Sequence, residues 1–308
     1  MDILLQQLIN GIVLGSIYAL IALGYTMVYG ILELINFAHG EVTMIGAMIC
    51  IAILHALLPG SGLPVVLILA LGVGGAVLVC MLLGLGIERI AYRPLRRAPR
   101  LTALITAIGV SIVLQNVAML VWGKQYVSFP GVIAVHRYDV GGASITNLQV
   151  AIVVLALLIM LALLVIVYRT RLGRAMRATA QSPDLAALMG VNPDVIIALT
   201  FAIGAALAAV AGVMVAIYYG LAHYYMGFLL GLKAFSAAVL GGIGNLGGAM
   251  LGGLLLGIVE SLGAGYIGPL TGGFLGSNYQ DVFAFFVLIL VLVFRPSGLL
   301  GERVGERA

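Results

Sequence analysis

The feature that most constrains this chain is a series of long apolar blocks without charges. Residues 148–168 run for twenty-one positions without Asp, Glu, Lys or Arg. A helix needs about 20 apolar residues to cross a hydrocarbon core of about 30 Å. The blocks predict membrane-spanning helices at 8–32, 41–58, 64–88, 101–122, 148–168 and 195–220, followed by a glycine-rich stretch at 228–266 and a last apolar run at 281–294.

The composition excludes soluble, disordered and fibrous proteins. Apolar residues make up 63% of the chain and charged residues 8%, against about 45–50% and about 25% in soluble domains. With so few charges, a soluble fold could not cover its surface. The net charge of +4 comes from loops beside the apolar blocks, which indicates membrane orientation rather than nucleic-acid binding. We therefore predict an all-α, polytopic integral membrane helix bundle forming one permease domain over residues 1–308.

The distribution of positive charge predicts the topology. The stretch 228–266 is too long for one crossing and is interrupted by the glycine run 241–248, so we divide it into two helices. This gives about nine crossings, within a range of eight to ten, with the N-terminus outside and the C-terminus in the cytoplasm. Lys124, Arg137 and Lys233 fall on the outer side. Twelve of the fifteen basic residues are then cytoplasmic, namely Arg89, Arg93, Arg96, Arg97, Arg100, Arg169, Arg171, Arg174, Arg177, Arg295, Arg303 and Arg307.

Small residues at four-residue spacing predict close helix contacts, because helices in lipid associate through backbone approach rather than through hydrophobic burial. They form three stripes, on the first, sixth and eighth spans. The stripes are Gly11, Gly15 and Ala19; Gly204, Ala208, Gly212 and Ala216; and Ala249, Gly253, Gly257, Ser261 and Gly265.

The sequence contains no pattern that predicts catalysis. Neither lysine lies in a phosphate-binding loop, and the GxGxxG match at 242–247 lies between apolar helices instead of after a strand. The histidines lack metal-ligand spacing. We therefore predict neither an enzyme nor a bound cofactor or metal.

Polar residues at membrane depth are the candidates for a substrate path, because they are costly there. The fourth span is polar for its length, and its side chains either line a wet path or bond across helices. Glu260 faces the bundle, whereas Glu33, Glu41 and Glu88 lie near span ends, where headgroup solvation is expected. The path candidates are Thr106, Gln115, Asn116, Asn245 and Glu260.

A compact polar turn joins the first two spans at Asn36, His39, Gly40 and Glu41. Gly40 would permit the bend, and Glu41 would favour the N-terminus of the next helix. An ordinary turn is the alternative.

The loop at 169–194 contains the sharpest local signal. Ser182 is typical of an N-cap, Pro183 of a first helical turn and Gly190 of a C-terminal stop. Asn192 then begins the sixth span in the same way. We predict a short helix on the cytoplasmic face, in which Ala186, Ala187 and Gly190 make one side small enough to enter a groove on a partner. Its residues are Ser182, Pro183, Asp184, Leu185, Ala186, Ala187, Leu188, Met189 and Gly190.

Four stretches resemble one protein family over nearly the whole chain: 24–30 (GYTMVYG), 35–41 (INFAHGE), 88–94 (ERIAYRP) and 238–244 (AVLGGIG). The chain resembles the LivH-type permease subunits of bacterial branched-chain amino acid ABC importers. The resemblance implies translocation of leucine, isoleucine and valine across the inner membrane. It also implies four partners: a second, related permease subunit, two cytoplasmic ATPases that bind the ATP, and a periplasmic amino-acid-binding protein.

The same resemblance makes the short helix at 182–190 the ATPase-coupling helix. ABC permeases often carry Glu-Ala-Ala-x-x-x-Gly there, whereas this chain has leucine at 185 and its glycine one residue early. The docking role therefore depends on position and shape.

Three alternatives remain open from the sequence. An ion-coupled secondary transporter would use Glu260 or Glu41 as the proton carrier. A non-transporting scaffold would give the polar fourth span no purpose. A permease of the same superfamily for urea or short amides would share the composition.

Overall fold

The computed structural model describes residues 2–60, 62–96, 98–270, 272 and 279–301. These ranges are mainly helical, because a helix satisfies every backbone N–H and C=O within its own segment. A π-helix (Glu88–Tyr92) and a 3₁₀ turn (Arg93–Leu95) follow the third α-helix. The α-helices are α1 (Asp2–Leu32), α2 (His39–Leu57), α3 (Val65–Ile87), α4 (Arg100–Trp122), α5 (Asn147–Arg169), α6 (Arg171–Gln181), α7 (Pro183–Leu188), α8 (Pro193–Tyr219), α9 (Met226–Gly241), α10 (Leu246–Leu270) and α11 (Gln280–Phe294).

The predicted helical membrane architecture is confirmed. In the described part of the chain, seven helices are long and apolar enough to cross a membrane: α1, α2, the helical stretch Val65–Leu95, α4, α5, α8 and α10. Two shorter apolar helices, α9 and the Phe285–Phe294 part of α11, coincide with the other two predicted spans. The division of 228–266 is also confirmed, because α9 ends at Gly241 and α10 begins at Leu246.

The Cα positions group into two compact units. The first contains the described residues of Met1–Thr26, Val135–Met160 and Lys233–Ala308. The second contains those of Met27–Ala134 and Leu161–Leu232. A single permease domain over 1–308 stays a prediction.

In the first unit, α1 and α10 pack through two of the predicted small-residue stripes. A Cβ added at Gly11 would lie 2.6 Å from the Cα of Ile258, and one added at Gly253 would lie 2.5 Å from the Cα of Ala19. Real Cβ atoms do not approach this closely, so the glycines are what allow the two backbones to meet. The stripes on these two helices are confirmed as packing surfaces.

In the second unit, α2, α3 and α8 pack around a core that includes Met44, Met48 and Phe201. The third stripe lies against α2, since a Cβ at Gly212 would overlap the carbonyl group of Thr43. On the facing side, a Cβ at Gly46 would lie 2.6 Å from the Cα of Ala209. The stripe on α8 is thus confirmed as well.

Two short antiparallel sheets were not predicted by the all-α assignment. Strands β2 (Arg137–Val140) and β3 (Ala143–Thr146) form a hairpin, and β1 (Val127–Ser128) pairs with β4 (Leu221–Ala222). Glycines 141 and 142, both with positive φ, form the hairpin turn. The apolar blocks carried no signal for these strands because they lie in the connections.

The loop at 169–194 holds two helices instead of the one that was predicted. In α6, Gly173, Met176 and Thr179 recur every three residues and are buried. The hydroxyl of Thr170 caps the helix by accepting from the Gly173 N–H at 3.2 Å. Of the basic residues used to orient the chain, Arg97, Arg303 and Arg307 lie outside the described residues.

Candidate functional site

A buried carboxyl cluster lies at the start of α2. Glu41 is fully buried, and its Oε1 accepts hydrogen bonds from Gln115 Nε2 at 2.7 Å and from Ser111 Oγ at 3.1 Å. Its Oε2 has no hydrogen-bond partner among the residues that the structure describes. That oxygen faces α9, since a Cβ added at Gly227 would lie 2.5 Å from it. The cluster therefore joins α2, α4 and the first turn of α9 through one acidic group.

The expectation that Glu41 and Glu88 are solvated at the headgroup level is wrong. Glu41 has no exposed surface, and Glu88 is 3% exposed. The reason lies in the packing of α2: Gly46, five residues after Glu41, meets Ala209 in the second half of α8. The helix thus begins among other helices rather than at a membrane surface. Glu33 is exposed, as expected.

Gly40 has a different role from the one predicted. It lies within the first turn of α2 and has no positive φ among the described residues. A Cβ at this position would lie 2.7 Å from the Cα of Gly231 and would overlap the carbonyl oxygen of Gly227. Gly40 therefore permits close approach of α2 and α9 and does not form the bend. Glu41 does lie in the first turn of α2, as expected.

The turn before α2 is held by the π-helix. Asn36 and His39 are 4% and 2% exposed, and the His39 N–H donates to the Asn36 carbonyl at 3.0 Å. The hydroxyl of Tyr92, the last π-helical residue, lies 3.1 Å from Asn36 Oδ1. Two of the stretches that carry the family resemblance, 35–41 and 88–94, are thus in direct contact.

A second buried ionic cluster lies in the first unit. Lys233 Nζ lies 2.7 Å from Glu260 Oε1 and 2.8 Å from Asp281 Oδ1. The Tyr18 hydroxyl donates to the same Glu260 oxygen at 3.2 Å. Glu260 is 1% and Lys233 9% exposed, so the ion pair offsets the cost of removing each charge from water.

Lys233 does not lie in an outer connection, where the charge distribution predicted it. It lies within α9 and is buried against α1 and α10. A lone lysine inside an apolar block is itself a signal of an internal partner, so the sequence could have predicted a buried acidic partner, although not which residue it is.

The other path candidates have local roles. Thr106 Oγ1 and Asn116 Nδ2 donate to carbonyls one turn earlier in α4, those of Thr102 and Ile112. Asn245 Oδ1 accepts from the Gly248 N–H at the start of α10, and its Nδ2 donates to the Leu300 carbonyl at 2.9 Å. The structure thus joins Gln115 with Glu41 and places Glu260 in an ion pair, while the other three bond to backbone.

The short helix that was predicted at 182–190 forms. Ser182 Oγ accepts from the Leu185 N–H at 3.3 Å, Pro183 and Asp184 begin α7, and Gly190 has a φ of 85°. One detail of the predicted surface is wrong, because Ala186 is only 3% exposed and packs inward. The exposed side instead presents Leu185, Leu188 and Met189, at 64%, 82% and 85% exposure, beside Ala187.

An ionic network that the sequence did not predict lies beside this helix. Asp194, in the first turn of α8, forms ion pairs with Arg93 and Arg96, and Arg96 also binds the buried Glu88. An open cavity of about 320 Å³ adjoins the network. Asp194 lies 101 and 98 positions from Arg93 and Arg96, and no spacing rule links residues so far apart, so only the fold could reveal these two pairs.

Comparisons with known proteins agree with the architecture. A family model described as the permease component of the branched-chain amino acid transport system matches residues 7–292. The chain belongs to this permease family. Members are transport subunits rather than enzymes, and the predicted resemblance is confirmed.

Individual permeases of the family align over nearly their whole length. The chain is 49% identical to the high-affinity branched-chain amino acid transport system permease protein LivH of Escherichia coli K12 and 50% identical to BraD of Pseudomonas aeruginosa. Each alignment covers 98% of this chain and 97% of the relative. A probable LivH from Methanocaldococcus jannaschii is 28% identical over 95% of this chain and 91% of its own length. No solved structure matches the chain.

Proposed function

We propose that this chain is the substrate-translocating subunit of an ATP-driven importer for leucine, isoleucine and valine in a bacterial inner membrane. The observation that carries the proposal is its 49–50% identity, over nearly the full length, to high-affinity branched-chain amino acid permeases. The many membrane-spanning helices support the same role.

The importer would contain four kinds of subunit. A second, related permease would complete the pathway, two cytoplasmic ATPases would bind the ATP, and a periplasmic protein would deliver the amino acid. This chain would hold no cofactor of its own. Helix α7 supports an ATPase-docking role because Leu188 and Met189 expose apolar surface on a charged loop, and such surface commonly marks a protein contact.

Nine crossings with the N-terminus outside fit the contacts between loops. The segments after α4 and after α8 pair as β1 and β4, so they lie on the same side of the membrane. The Leu299 and Leu300 N–H groups donate to the carbonyls of Leu240 and Gly241, both at 2.9 Å, which joins the ends of α9 and α11. Both contacts support the alternation of outer and cytoplasmic connections that the basic loops predict.

The path residues are proposed from burial and chemistry. Gln115 and Glu41 form one polar position within the second unit, and Glu260 forms another within the first. Thr106, Asn116 and Asn245 contribute backbone-bonded polar surface. ATP binding would shift the bundle between outward and inward access only if the ATPases contact the two states unequally.

Uptake measured with the assembled complex tests the proposal. The chain would be purified with its co-expressed partners and reconstituted in proteoliposomes with leucine, the binding protein and ATP. ATP-dependent leucine accumulation is the expected result. Omission of the ATPases is the matched control and should abolish accumulation. Accumulation by this chain alone would overturn the proposal.

Buried carboxyls favour one rival, an ion-coupled carrier. Within the described ranges, Glu41 and Glu260 each have one oxygen without a hydrogen-bond partner, as a proton carrier would. A protonophore added while ATP stays high distinguishes the two: uptake should continue for the ATP-driven importer and stop for the carrier. Competition by urea and short amides tests the remaining substrate classes.

A further inference from the structure

A chain of polar contacts within the second unit begins beside the docking helix. Asn192 caps α8 by accepting from the Asp194 N–H at 3.1 Å. The Asp194 carboxylate binds Arg93 and Arg96, and Arg96 continues to Glu88. Two guanidiniums thus neutralise two carboxylates, and the first turn of α8, which follows the loop that carries α7, is ion-paired with the residues that follow the π-helix.

The π-helical turn Glu88–Tyr92 connects this network to the membrane interior. Glu88, its first residue, is bound by Arg96. Tyr92, its last residue, is 1% exposed, and its ring centroid lies 5.2 Å from that of Phe201 in α8. Its hydroxyl reaches Asn36 Oδ1 at 3.1 Å and the Ile35 carbonyl at 3.3 Å.

The contacts continue from this tyrosine to the buried carboxyl. The Asn36 carbonyl accepts from the His39 N–H, the first residue of α2. Glu41 follows two residues later and holds Gln115 and Ser111 of α4. A displacement of Tyr92 would therefore move the start of α2 and, with it, the position of Glu41.

We propose that the π-helical turn Glu88–Tyr92 transmits movement from the docking loop to the Asn36–Glu41 turn, with Tyr92 and Arg96 as positioning residues. The inference rests on the proposed ATP-driven import. A π turn holds one extra residue within a continuous helix and is frequent at functional sites. Its conversion to an α turn rotates the following residues by about 100°, one residue's share of an α-helical turn. In this proposal the turn alternates between a π and an α arrangement, the kind of two-state element through which two sites can be coupled.

The decisive variant is Tyr92→Phe in the complete reconstituted complex. It removes the hydroxyl that reaches Asn36 and keeps the ring against Phe201. Leucine uptake and ATP hydrolysis are measured in the same proteoliposomes. Uptake per ATP hydrolysed should fall by about tenfold, within the range typical of coupling between sites, while hydrolysis continues. Tyr138→Phe, on the exposed hairpin, is the matched control and should keep the wild-type ratio.

A second arm tests whether the two positioning residues act in one route. Arg96→Gln should lower the same ratio, and its effect should not add to that of Tyr92→Phe, because residues in one network give non-additive double-variant cycles. Arg96→Lys should not restore coupling, because an ammonium cannot replace the planar fork that bridges two carboxylates.

The outcomes distinguish a failure of the transmission role from a failure of the proposed ATP-driven import. Wild-type uptake per ATP in Tyr92→Phe, strict additivity with Arg96→Gln, or loss of the assembled complex in Tyr92→Phe would each overturn the transmission role. Failure of ATP-driven import itself would appear in the wild-type complex, before any variant is compared.

Discussion

At the scale of single residues, buried charge determines how strongly a substitution in the Lys233 cluster destabilises the protein. Lys233 is the sole cation near Glu260 and Asp281 in the described part of the first unit. Truncating one partner of a buried pair costs about 3–5 kcal/mol, because the other charge stays uncompensated. The cost therefore depends on how many unpaired charges each substitution leaves.

Lys233→Met should destabilise the protein more than Glu260→Gln does. The first change leaves two carboxylates without their cation, whereas after the second Lys233 still pairs with Asp281. Thermal unfolding of the detergent-purified chain measures the difference. Lys124→Met, at an exposed lysine, is the control and should be nearly silent. Equal losses for Lys233→Met and Glu260→Gln would contradict this account of the cluster.

Gly212→Leu should prevent folding or assembly. Any Cβ there overlaps the Thr43 carbonyl group, and a backbone atom cannot move aside as a side chain does. Overpacking costs about 1–3 kcal/mol or more, and leucine adds three further carbons. The amount of folded protein in the membrane is the measurement. Gly74→Leu is the control, because a Cβ at Gly74 meets no atom of the described residues within 4 Å. Normal levels of the Gly212→Leu protein would refute the contact.

At the scale of elements, the exposed side of α7 should determine ATPase docking. Ala186 packs inward, while Ala187 and Leu188 face outward. The caps at Ser182 and Asn192 hold the helix in place, so its exposed surface can be changed without unfolding the loop.

Ala187→Arg should uncouple ATP hydrolysis from leucine uptake while the protein stays in the membrane. An added charge on an exposed position leaves the fold intact but must be desolvated in the docked complex. Uptake and hydrolysis by the reconstituted complex are compared. Gln125→Arg, at an exposed position in the connection after α4, is the control for an added guanidinium and should keep wild-type uptake. Wild-type uptake by the Ala187→Arg complex would count against docking through this helix.

At the scale of the whole molecule, topology can be tested with single cysteines, because Cys50 and Cys80 are both buried and should not react. A membrane-impermeant thiol reagent applied to intact spheroplasts should label Tyr138→Cys on the hairpin and should not label Leu188→Cys on α7. Both residues are exposed in the chain, at 56% and 82%. Labelling of Leu188→Cys before lysis would invert the proposed orientation, and lysis supplies the positive control.

The sequence by itself determined the helical spans, their approximate ends and the glycine stripes. Each of these depends on local signals: apolar length, capping residues such as Ser182 and Asn192, and small residues repeated every four positions. A span such as 148–168 has no soluble alternative, so its structure follows from composition alone. The break after Gly241 also follows from a local signal, because glycines with positive φ end the helix there.

Only the tertiary structure decided which polar groups meet. No periodicity encodes pairs that lie far apart in the sequence. The separations are 74 residues for Glu41 with Gln115, 27 for Lys233 with Glu260 and 98 for Asp194 with Arg96. The π turn at Glu88–Tyr92 likewise has no composition signal. Burial of a charge depends on the three-dimensional neighbours that surround it, because the same carboxylate is solvated at a helix end facing water and desolvated at a helix end packed among others.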